Sequence, residues 1–383
     1  MNTFAAICGI VIILLVLADA FETVVLPRRV TRHFRLTAWF YRRAWRPWAA
    51  FSRRIKTDAR REAFLGYFGP LSLILLLVLW AVSLIFGFAL LQFSAGKHVR
   101  LSGEPITFGL LLYHSGETFF TLGYGDITPE SPFARLLAVT EAGTGFGFLA
   151  IVIGYLPTIY SGFSRREIEI SRLDARAGSP PTAAELLLRF GLCPQQSVLD
   201  QIFRDWERWS AEVLESHLSY GVLGYFRSQH NNQSWLGALT TILDATALVM
   251  AGIENIKDEQ ASLTFAMARH AVVDLAQVYR AQYNPHYPDR LPDAEYARLR
   301  KLLADEGLKI QDSPEHLEKL AHLRSLYEAY AYGLSDRLVM MLPLWVNAAK
   351  RKDNWEAGPW DRLIQARGLG EHVQKIQRVE DHF

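Results

Sequence analysis

Three long stretches of almost uncharged sequence constrain the fold of this chain more than any other feature of its 383 residues. Residues 63–96 contain no Asp, Glu, Lys or Arg, residues 136–163 contain only Glu141, and residues 4–25 contain two acids near their end. A membrane-spanning helix needs about 20 consecutive, mostly apolar residues. The pattern therefore predicts three transmembrane helices, because the buried core helix of a soluble protein does not fit a run as long as residues 63–96.

The first stretch has an alternative interpretation as a cleaved signal peptide. Ala18-Asp19-Ala20 has the small-x-small pattern of a cleavage site. However, residues 1–4 lack the Lys or Arg that normally begins a secretory signal, and cleavage would export the strongly basic segment that follows. A transmembrane helix over residues 1–26 is therefore the preferred interpretation.

Positive charge is concentrated between the first two spans and predicts the topology. Residues 27–62 hold twelve Lys and Arg and two acids, a net charge of +10. Because Arg and Lys remain on the cytoplasmic side of membranes, this segment is expected inside the cell. The N-terminus then lies outside, and the chain after the third span lies in the cytoplasm. We therefore expect a multi-pass protein of the cell membrane.

Aromatic and cationic residues are mixed within the basic segment. The aromatic residues are Trp39, Phe40, Trp45, Trp48 and Phe51, and the neighbouring cations are Arg42, Arg43, Arg46, Arg53 and Arg54. This composition is typical of a helix in the headgroup layer, and we expect Pro47 to interrupt that helix. Nucleic acid is the alternative polyanion. Because a span lies on each side of residues 27–62, anionic lipid headgroups are the predicted partner and nucleic acid is not.

A glycine-rich hexapeptide, Thr121-Leu122-Gly123-Tyr124-Gly125-Asp126, stands between the second and third spans. Its two glycines allow backbone conformations that a Cβ resists, so successive carbonyl groups can turn toward one line. Residues 107–120 before it predict a helix too short and too polar to cross a membrane. Irregular backbone at membrane depth is tolerated only where protein or a water-filled cavity surrounds it.

This arrangement resembles the potassium channels of the single-pore-loop superfamily, in which a TxGYGD filter lies between two spans. The resemblance covers residues 64–163. It implies that residues 107–120 form a re-entrant pore helix and that four copies of the chain form a homotetramer around one pore. It also implies that backbone carbonyls of the filter replace the hydration shell of K+. The filter residues are then Thr121, Leu122, Gly123, Tyr124 and Gly125, and the backbone of the first four binds K+.

The resemblance also implies that two carboxylates support the filter. A glutamate at the position of Glu117 can lie behind the filter, near an aspartate at the position of Asp126. Two close carboxylates do not both ionise cheaply, so one proton would bridge the pair. The alternative is that Glu117 bonds only to nearby backbone. The sequence departs from many relatives at Phe120 and Leu122, where threonine and valine are usual, but neither change removes a coordinating backbone atom.

Glycine and proline residues mark the third span as the inner helix of this family. Gly145 falls at the usual hinge position counted from the filter aspartate. Gly154 and Pro157 are further hinge candidates, because glycine and proline mark places where helices bend. Small residues also let neighbouring helices approach closely, so a packing role is an equal alternative for the glycines.

Glu141 is an ionisable residue inside the third span, which by default indicates a function. It is a candidate cavity residue that would concentrate cations near the pore. Burial against pore-helix residues such as His114, Ser115 or Thr118 is the other interpretation, and it is slightly preferred.

The rest of the chain predicts a linker over residues 164–181 and a helical cytoplasmic domain over residues 182–383. Residues 235–253 are apolar except for Asp244 and could form a fourth span, although a buried helix of this domain is preferred. The histidines match no zinc-site spacing, and no P-loop, GxGxxG or nucleophile–base set indicates catalysis or a cofactor. The domain does not resemble the nucleotide-binding domains of many bacterial potassium channels. Assembly of the tetramer, binding of an unknown ligand or partner, and reception of a signal all stay open as its role.

The sequence thus predicts an all-α membrane protein with three transmembrane helices, a pore domain over residues 63–163 that contains a re-entrant pore helix and filter, and an α-helical cytoplasmic domain. Its predicted function is passive, potassium-selective conduction with gating at the inner helices and at the filter. K+ is the transported ion, and no enzyme activity is expected. A non-selective cation channel and a non-conducting receptor derived from a channel are the alternatives.

Overall fold

A computed structural model describes residues 2–26, 35–95, 99–101, 107–191, 195–230, 232–283 and 286–347 of the chain. These residues are almost entirely helical, as predicted for an all-α membrane protein. The helices are α1 (Thr3–Ala20), α2 (Leu36–Ser52), α3 (Asp58–Gly66), α4 (Phe68–Ala95), α5 (Phe108–Phe119), α6 (Pro132–Ala177), α7 (Ala183–Gly191), α8 (Gln196–Ser219), α9 (Trp235–Gly252), α10 (Glu259–Val278), α11 (Asp293–Asp305), α12 (Pro314–Ser325) and α13 (Glu328–Leu338). Two short strands, β1 (Val99–Leu101) and β2 (Ile127–Pro129), pair antiparallel, with Arg100 opposite Thr128.

Within the described residues, four helical stretches are long and apolar enough to cross a membrane: Thr3–Val25, Asp58–Ala95, Pro132–Ala177 and Trp235–Gly252. The first three expose large apolar side chains, as a lipid-facing helix must. The fourth, α9, is different, because every residue from 235 to 249 is buried by other protein segments. Helix α9 therefore has no exposed face that could contact lipid. It forms the core of a helical bundle, as the preferred interpretation expected.

The chain folds as two compact units, which are described separately. The first contains residues 1–50 and 67–161, and the second contains residues 51–66 and the described chain from residue 162 onward. These limits differ from the predicted ones. Helix α6 continues unbroken through residues 164–177 of the predicted linker. Helix α3 belongs to the second unit, where Glu62 pairs with Arg227 at 3.5 Å.

In the first unit, α1 packs along α4 at a pair of glycines. A Cβ on Gly9 would lie 2.7 Å from the carbonyl oxygen of Gly87, and a Cβ on Gly87 would lie 2.8 Å from the side chain of Ile13. Small residues allow this close approach of two apolar helices, for which lipid provides no hydrophobic driving force.

Asp19, at the end of α1, determines where α2 begins. Its buried carboxylate accepts hydrogen bonds from the backbone N–H of Thr37 at 3.0 Å, from the Thr37 hydroxyl at 2.6 Å and from the Trp80 indole N–H at 3.0 Å. Thr37 lies in the first turn of α2, where backbone N–H groups lack helical partners and the helix dipole favours an anion. The start of α2 is thereby fixed to both α1 and α4.

Helix α2 has one buried aromatic face and one exposed basic face. Tyr41 and Trp45 are buried against Phe68 of α4, and the rings of Trp45 and Phe68 are 4.8 Å apart. The prediction that Pro47 interrupts the helix is wrong, since α2 runs from Leu36 to Ser52. Pro47 is exposed, so the carbonyl of Arg43 that loses its helical partner can bond to solvent or headgroups instead.

In the second unit, a buried polar cluster surrounds the one acid of α9. Arg290 bonds to both carboxylate oxygens of Asp244, and the Tyr327 hydroxyl donates to the same carboxylate at 2.5 Å. Arg290 also donates to the Pro343 carbonyl at 2.9 Å and lies 3.4 Å from Glu328. Burial alone would lower the pKa of Arg290, but the neighbouring Asp244 raises it above its ordinary value. The charge in this apolar helix is therefore matched inside the domain.

Candidate functional site

Helix α5 and the segment after it form the candidate site. The Thr107 side chain caps α5 by accepting a hydrogen bond from the backbone N–H of Leu110 at 3.3 Å. The helix ends at Phe119, and its 12 residues are too few to cross a bilayer. The predicted short helix over residues 107–120 is thus present, with the glycine-rich segment following directly and leading into β2.

Residues with a positive φ angle alternate with residues without one along the backbone of the glycine-rich segment. The φ angles of Thr121, Gly123 and Gly125 are +57°, +60° and +80°, whereas Leu122 and Tyr124 between them have no positive φ. In a chain with this alternation, successive peptide groups can present their carbonyl oxygens on one side, whereas an ordinary strand presents them on both. Glycine adopts the left-handed conformation without steric cost, but a β-branched threonine does not. The segment is therefore held in a conformation that its neighbours must enforce.

Glu117 holds the backbone of this segment in place through hydrogen bonds. Its backbone carbonyl accepts a hydrogen bond from the N–H of Leu122 at 2.8 Å, and its carboxylate accepts one from the N–H of Tyr124 at 3.3 Å. The other carboxylate oxygen lies 2.9 Å from Nδ1 of His114. Glu117 and His114 are both buried. Sequence reasoning missed His114 as the partner of Glu117, although its position one helical turn earlier was the available signal.

Asp126 has partners other than Glu117. Its carboxylate accepts a hydrogen bond from the N–H of Ile127 at 3.1 Å and interacts with the Tyr113 hydroxyl. Among the described residues, no hydrogen bond joins the carboxylates of Glu117 and Asp126. The geometry of a single chain therefore agrees with the alternative interpretation, in which Glu117 bonds to nearby backbone, and gives no support to a shared proton.

The side chains of the glycine-rich segment are uncovered in the single chain. Leu122 is 55% exposed and Tyr124 is 68% exposed, and Phe120 just before them is 56% exposed. Phe119 and Ile127, which flank the segment, are buried. The two ends are thus anchored in the first unit, while the middle presents an apolar and aromatic surface.

Glu141 does not face a cavity, so the cavity prediction is wrong. The side chain is fully buried in the single chain, between α4, α5 and α6. It bonds to Ser115 of α5 and to Gln92 of α4. The preferred interpretation, burial against the predicted pore helix, is the arrangement observed, and Gln92 is the partner that sequence reasoning missed.

The three hinge candidates of α6 have different surroundings. A Cβ on Gly145 would overlap the backbone carbonyl of Phe119, so glycine is required there for close packing of α6 on α5. A Cβ on Gly154 would meet nothing within 4 Å, and α6 remains helical through Pro157. Packing therefore accounts for Gly145, and bending at Gly154 and Pro157 stays a prediction.

Beyond the membrane span, α6 is held within the second unit by Arg166. Its guanidinium donates to the carbonyls of Leu223 at 2.9 Å and Phe226 at 3.0 Å, and it lies 3.3 Å from Nε2 of His217. His217 Nδ1 is 2.8 Å from the Val213 carbonyl, so that nitrogen carries the proton and Nε2 accepts from Arg166. Burial, together with the charge of Arg166, holds the pKa of His217 well below its ordinary value.

The comparison with protein families bears on the part of the chain that holds this site. Residues 74–161 match a family described as an ion channel family. The matched residues contain most of α4, all of α5, the glycine-rich segment and the first part of α6. This part of the chain is therefore similar to ion channels.

A comparison with curated proteins extends the similarity beyond that part. The chain is similar to YdjJ of Bacillus subtilis (strain 168), an uncharacterized membrane protein, with 23% identity over 244 residues. The aligned region covers 61% of this chain and 70% of that protein. No solved structure matches the chain.

Proposed function

We propose that the protein is the subunit of a potassium-selective channel that conducts K+ passively through a tetrameric pore. The alternating backbone of residues 121–125 is the observation that carries this proposal. Carbonyl oxygens on one side of four such strands would replace the hydration shell of K+ in the filter, with the carbonyls of Thr121, Leu122, Gly123 and Tyr124 as ligands. The similarity of residues 74–161 to ion channels supports the same conclusion.

The homotetramer is part of this proposal, because one chain supplies only one strand of a filter. The exposed side chains of Leu122 and Tyr124 support it. Isolated apolar residues are common on surfaces, but here they belong to a segment at membrane depth, where irregular backbone must be enclosed by protein or water. Three further copies of the chain would enclose it.

The basic segment and the helical domain complete the proposal. The charge of residues 27–62 favours a cytoplasmic location for α2 and for the helical domain, with the N-terminus outside the cell membrane. Gating would occur at the inner helices, which the helical domain holds through Arg166. A ligand or partner of that domain would shift the open population only by its differential affinity for the two states.

A flux measurement on purified protein in liposomes tests the conduction proposal. We expect K+ flux to exceed Na+ flux by more than about tenfold, which corresponds to roughly 1.4 kcal/mol of preference. Gly123→Ala should abolish K+ flux, because alanine resists a φ of +60° by about 1–2 kcal/mol and adds a methyl group beside the coordinating carbonyls.

Gly143→Ala is the matched control, since an added Cβ there meets nothing within 4 Å and the position is helical. It should conduct like the wild type. Equal K+ and Na+ fluxes would favour a non-selective cation channel, and the absence of any flux would favour a non-conducting receptor.

We also propose that anionic lipid headgroups bind the exposed face of α2. Arg43 and Arg46 are exposed on the side opposite the buried Tyr41 and Trp45, and Trp39 is 41% exposed beside them. Cations near an anionic membrane surface contribute about 1 kcal/mol each. Arg43→Gln/Arg46→Gln should therefore weaken retention of phosphatidylglycerol roughly 30-fold, measured by native mass spectrometry of the purified protein.

Arg204→Gln/Arg208→Gln removes the same charge from exposed positions of the helical domain and is the matched control. Equal phosphatidylglycerol retention by both double variants would contradict the proposal.

A further inference from the structure

Glu141 joins three helices around one carboxyl group. Its Oε2 accepts a hydrogen bond from the Gln92 amide of α4 at 2.9 Å, and its Oε1 contacts the hydroxyl of Ser115 on α5. The Ser115 hydroxyl also lies 2.7 Å from the backbone carbonyl of Ile85 in α4. Glu141 and Ser115 have no exposed surface even in the single chain. The group is thus a closed polar cluster within an apolar interior.

The number of protons in this cluster determines the charge of Glu141. A serine hydroxyl has one proton to donate. The Ile85 carbonyl can only accept, so the Ser115 proton goes there, and the short contact to Glu141 then needs a proton from Glu141 itself. If Ser115 instead donated to a carboxylate, its oxygen and the Ile85 carbonyl would face each other at 2.7 Å with no proton between them.

The Gln92 amide is compatible with a proton on Oε1 of Glu141. As placed, its nitrogen donates to Glu141 and its oxygen is buried without a partner. If the amide were turned over, its oxygen would face Glu141 Oε2 and would need the single acid proton there, which would leave none for the Ser115 contact, so the orientation as placed is the one that fits. Within the described residues, the hydrogen-bond partners of Glu141 are both neutral, and an unpaired charge at membrane depth is very costly.

We infer that Glu141 is a neutral carboxylic acid that positions the pore helix against the inner helix by donating a hydrogen bond to Ser115. This inference rests on the proposed function, because it concerns the helix that presents the filter. It gives Glu141 a positioning role and no contact with the ion.

The spacing of a second contact agrees with this role. Gly145 packs against the backbone carbonyl of Phe119. Gly145 lies four residues after Glu141 on α6, and Phe119 lies four residues after Ser115 on α5. Residues four apart lie on one face of a helix, so α5 and α6 meet at two points one turn apart. The contact between Glu141 and Ser115 sets the register of the two helices, and the contact between Gly145 and Phe119 sets the distance between them.

Two substitutions separate the neutral acid from an ionised one. Glu141→Gln keeps the shape, since its amide nitrogen can donate to Ser115 and its oxygen can accept from Gln92. It should keep the melting temperature of the purified tetramer within about 2 °C of the wild type and should keep K+ selectivity. Glu141→Leu removes both bonds and should lower the melting temperature by about 5 °C or more and reduce K+ flux.

Infrared spectroscopy measures directly whether the Glu141 carboxyl group is protonated. The wild type at pH 7.5 should show the carbonyl band of a buried carboxylic acid, Glu141→Gln should lack that band, and Glu254→Gln, at an exposed position, should retain it. Absence of the band in the wild type, or equal destabilisation by glutamine and leucine, would overturn the inference. Because the band and the melting temperature need no conduction, they test Glu141 even if the purified protein passes no K+.

Discussion

Gly145→Ala should abolish both tetramer assembly and K+ flux. The added Cβ would overlap the backbone carbonyl of Phe119 at the end of α5. Overpacking against movable side chains typically costs about 1–3 kcal/mol, and a backbone carbonyl fixed by the helix cannot yield as a side chain does. The effect should therefore reach or exceed the upper end of that range. Size-exclusion chromatography of the purified protein and flux from liposomes measure the two losses.

Gly147→Ala is the matched control, two residues further along the same helix. A Cβ on Gly147 meets nothing within 4 Å, and alanine is a better helix former than glycine by about 1 kcal/mol. This variant should therefore assemble and conduct at least as well as the wild type. If both alanine variants assembled and conducted equally, the close contact between α6 and α5 would not be required for assembly or conduction.

Asp244→Asn should destabilise the helical domain by about 3–5 kcal/mol. Removing one partner of a buried ion pair leaves the other charge without compensation. Arg290 would keep Glu328 and the Pro343 carbonyl, but the two carboxylate oxygens that Arg290 and Tyr327 share would be replaced by one neutral amide oxygen. For a domain of this size we expect the melting temperature to fall by roughly 10 °C. Thermal unfolding of the full-length protein, followed by circular dichroism, measures it.

The exposed pair of Arg300 and Asp312 provides the control for this prediction. Their side chains are 39% and 47% exposed, and exposed ion pairs contribute about 0–1 kcal/mol. Asp312→Asn should therefore shift the melting temperature by no more than a few degrees. Equal shifts for the two asparagine variants would show that the cluster around Asp244 does not stabilise the domain as its burial indicates.

Much of the first unit could be predicted because local sequence determines it. Apolar runs of sufficient length identified α1, α4 and α6, and the polar, shorter run identified α5 to within one residue at each end. The glycines of the glycine-rich segment predicted left-handed backbone, and Gly123 and Gly125 have it. In each case the signal lies in residues that are neighbours along the chain.

The partners of buried polar residues could not be predicted, because they come from distant parts of the sequence. Asp19 bonds to Trp80, and Asp244 bonds to Tyr327, which is 83 residues away. Glu141 shows the same problem, since the sequence allowed both a cavity and a buried position. Only the packing of three helices decided between them.

The effect of proline on helix α2 was also predicted wrongly. Pro47 predicted an interruption, yet α2 continues through it. A proline on the exposed side of a helix removes one hydrogen bond that solvent can replace, and tertiary packing outweighs that local cost.

In the proposed tetrameric pore, the backbone carbonyls of residues 121–124 select K+. Recording the reversal potential of the purified protein in a planar bilayer, with K+ on one side and Na+ on the other, tests it most directly. We expect a reversal potential displaced from zero by more than about 59 mV in the direction set by K+ permeation, which corresponds to a selectivity above tenfold, and loss of that potential in Gly123→Ala. A reversal potential near zero in the wild type would contradict it.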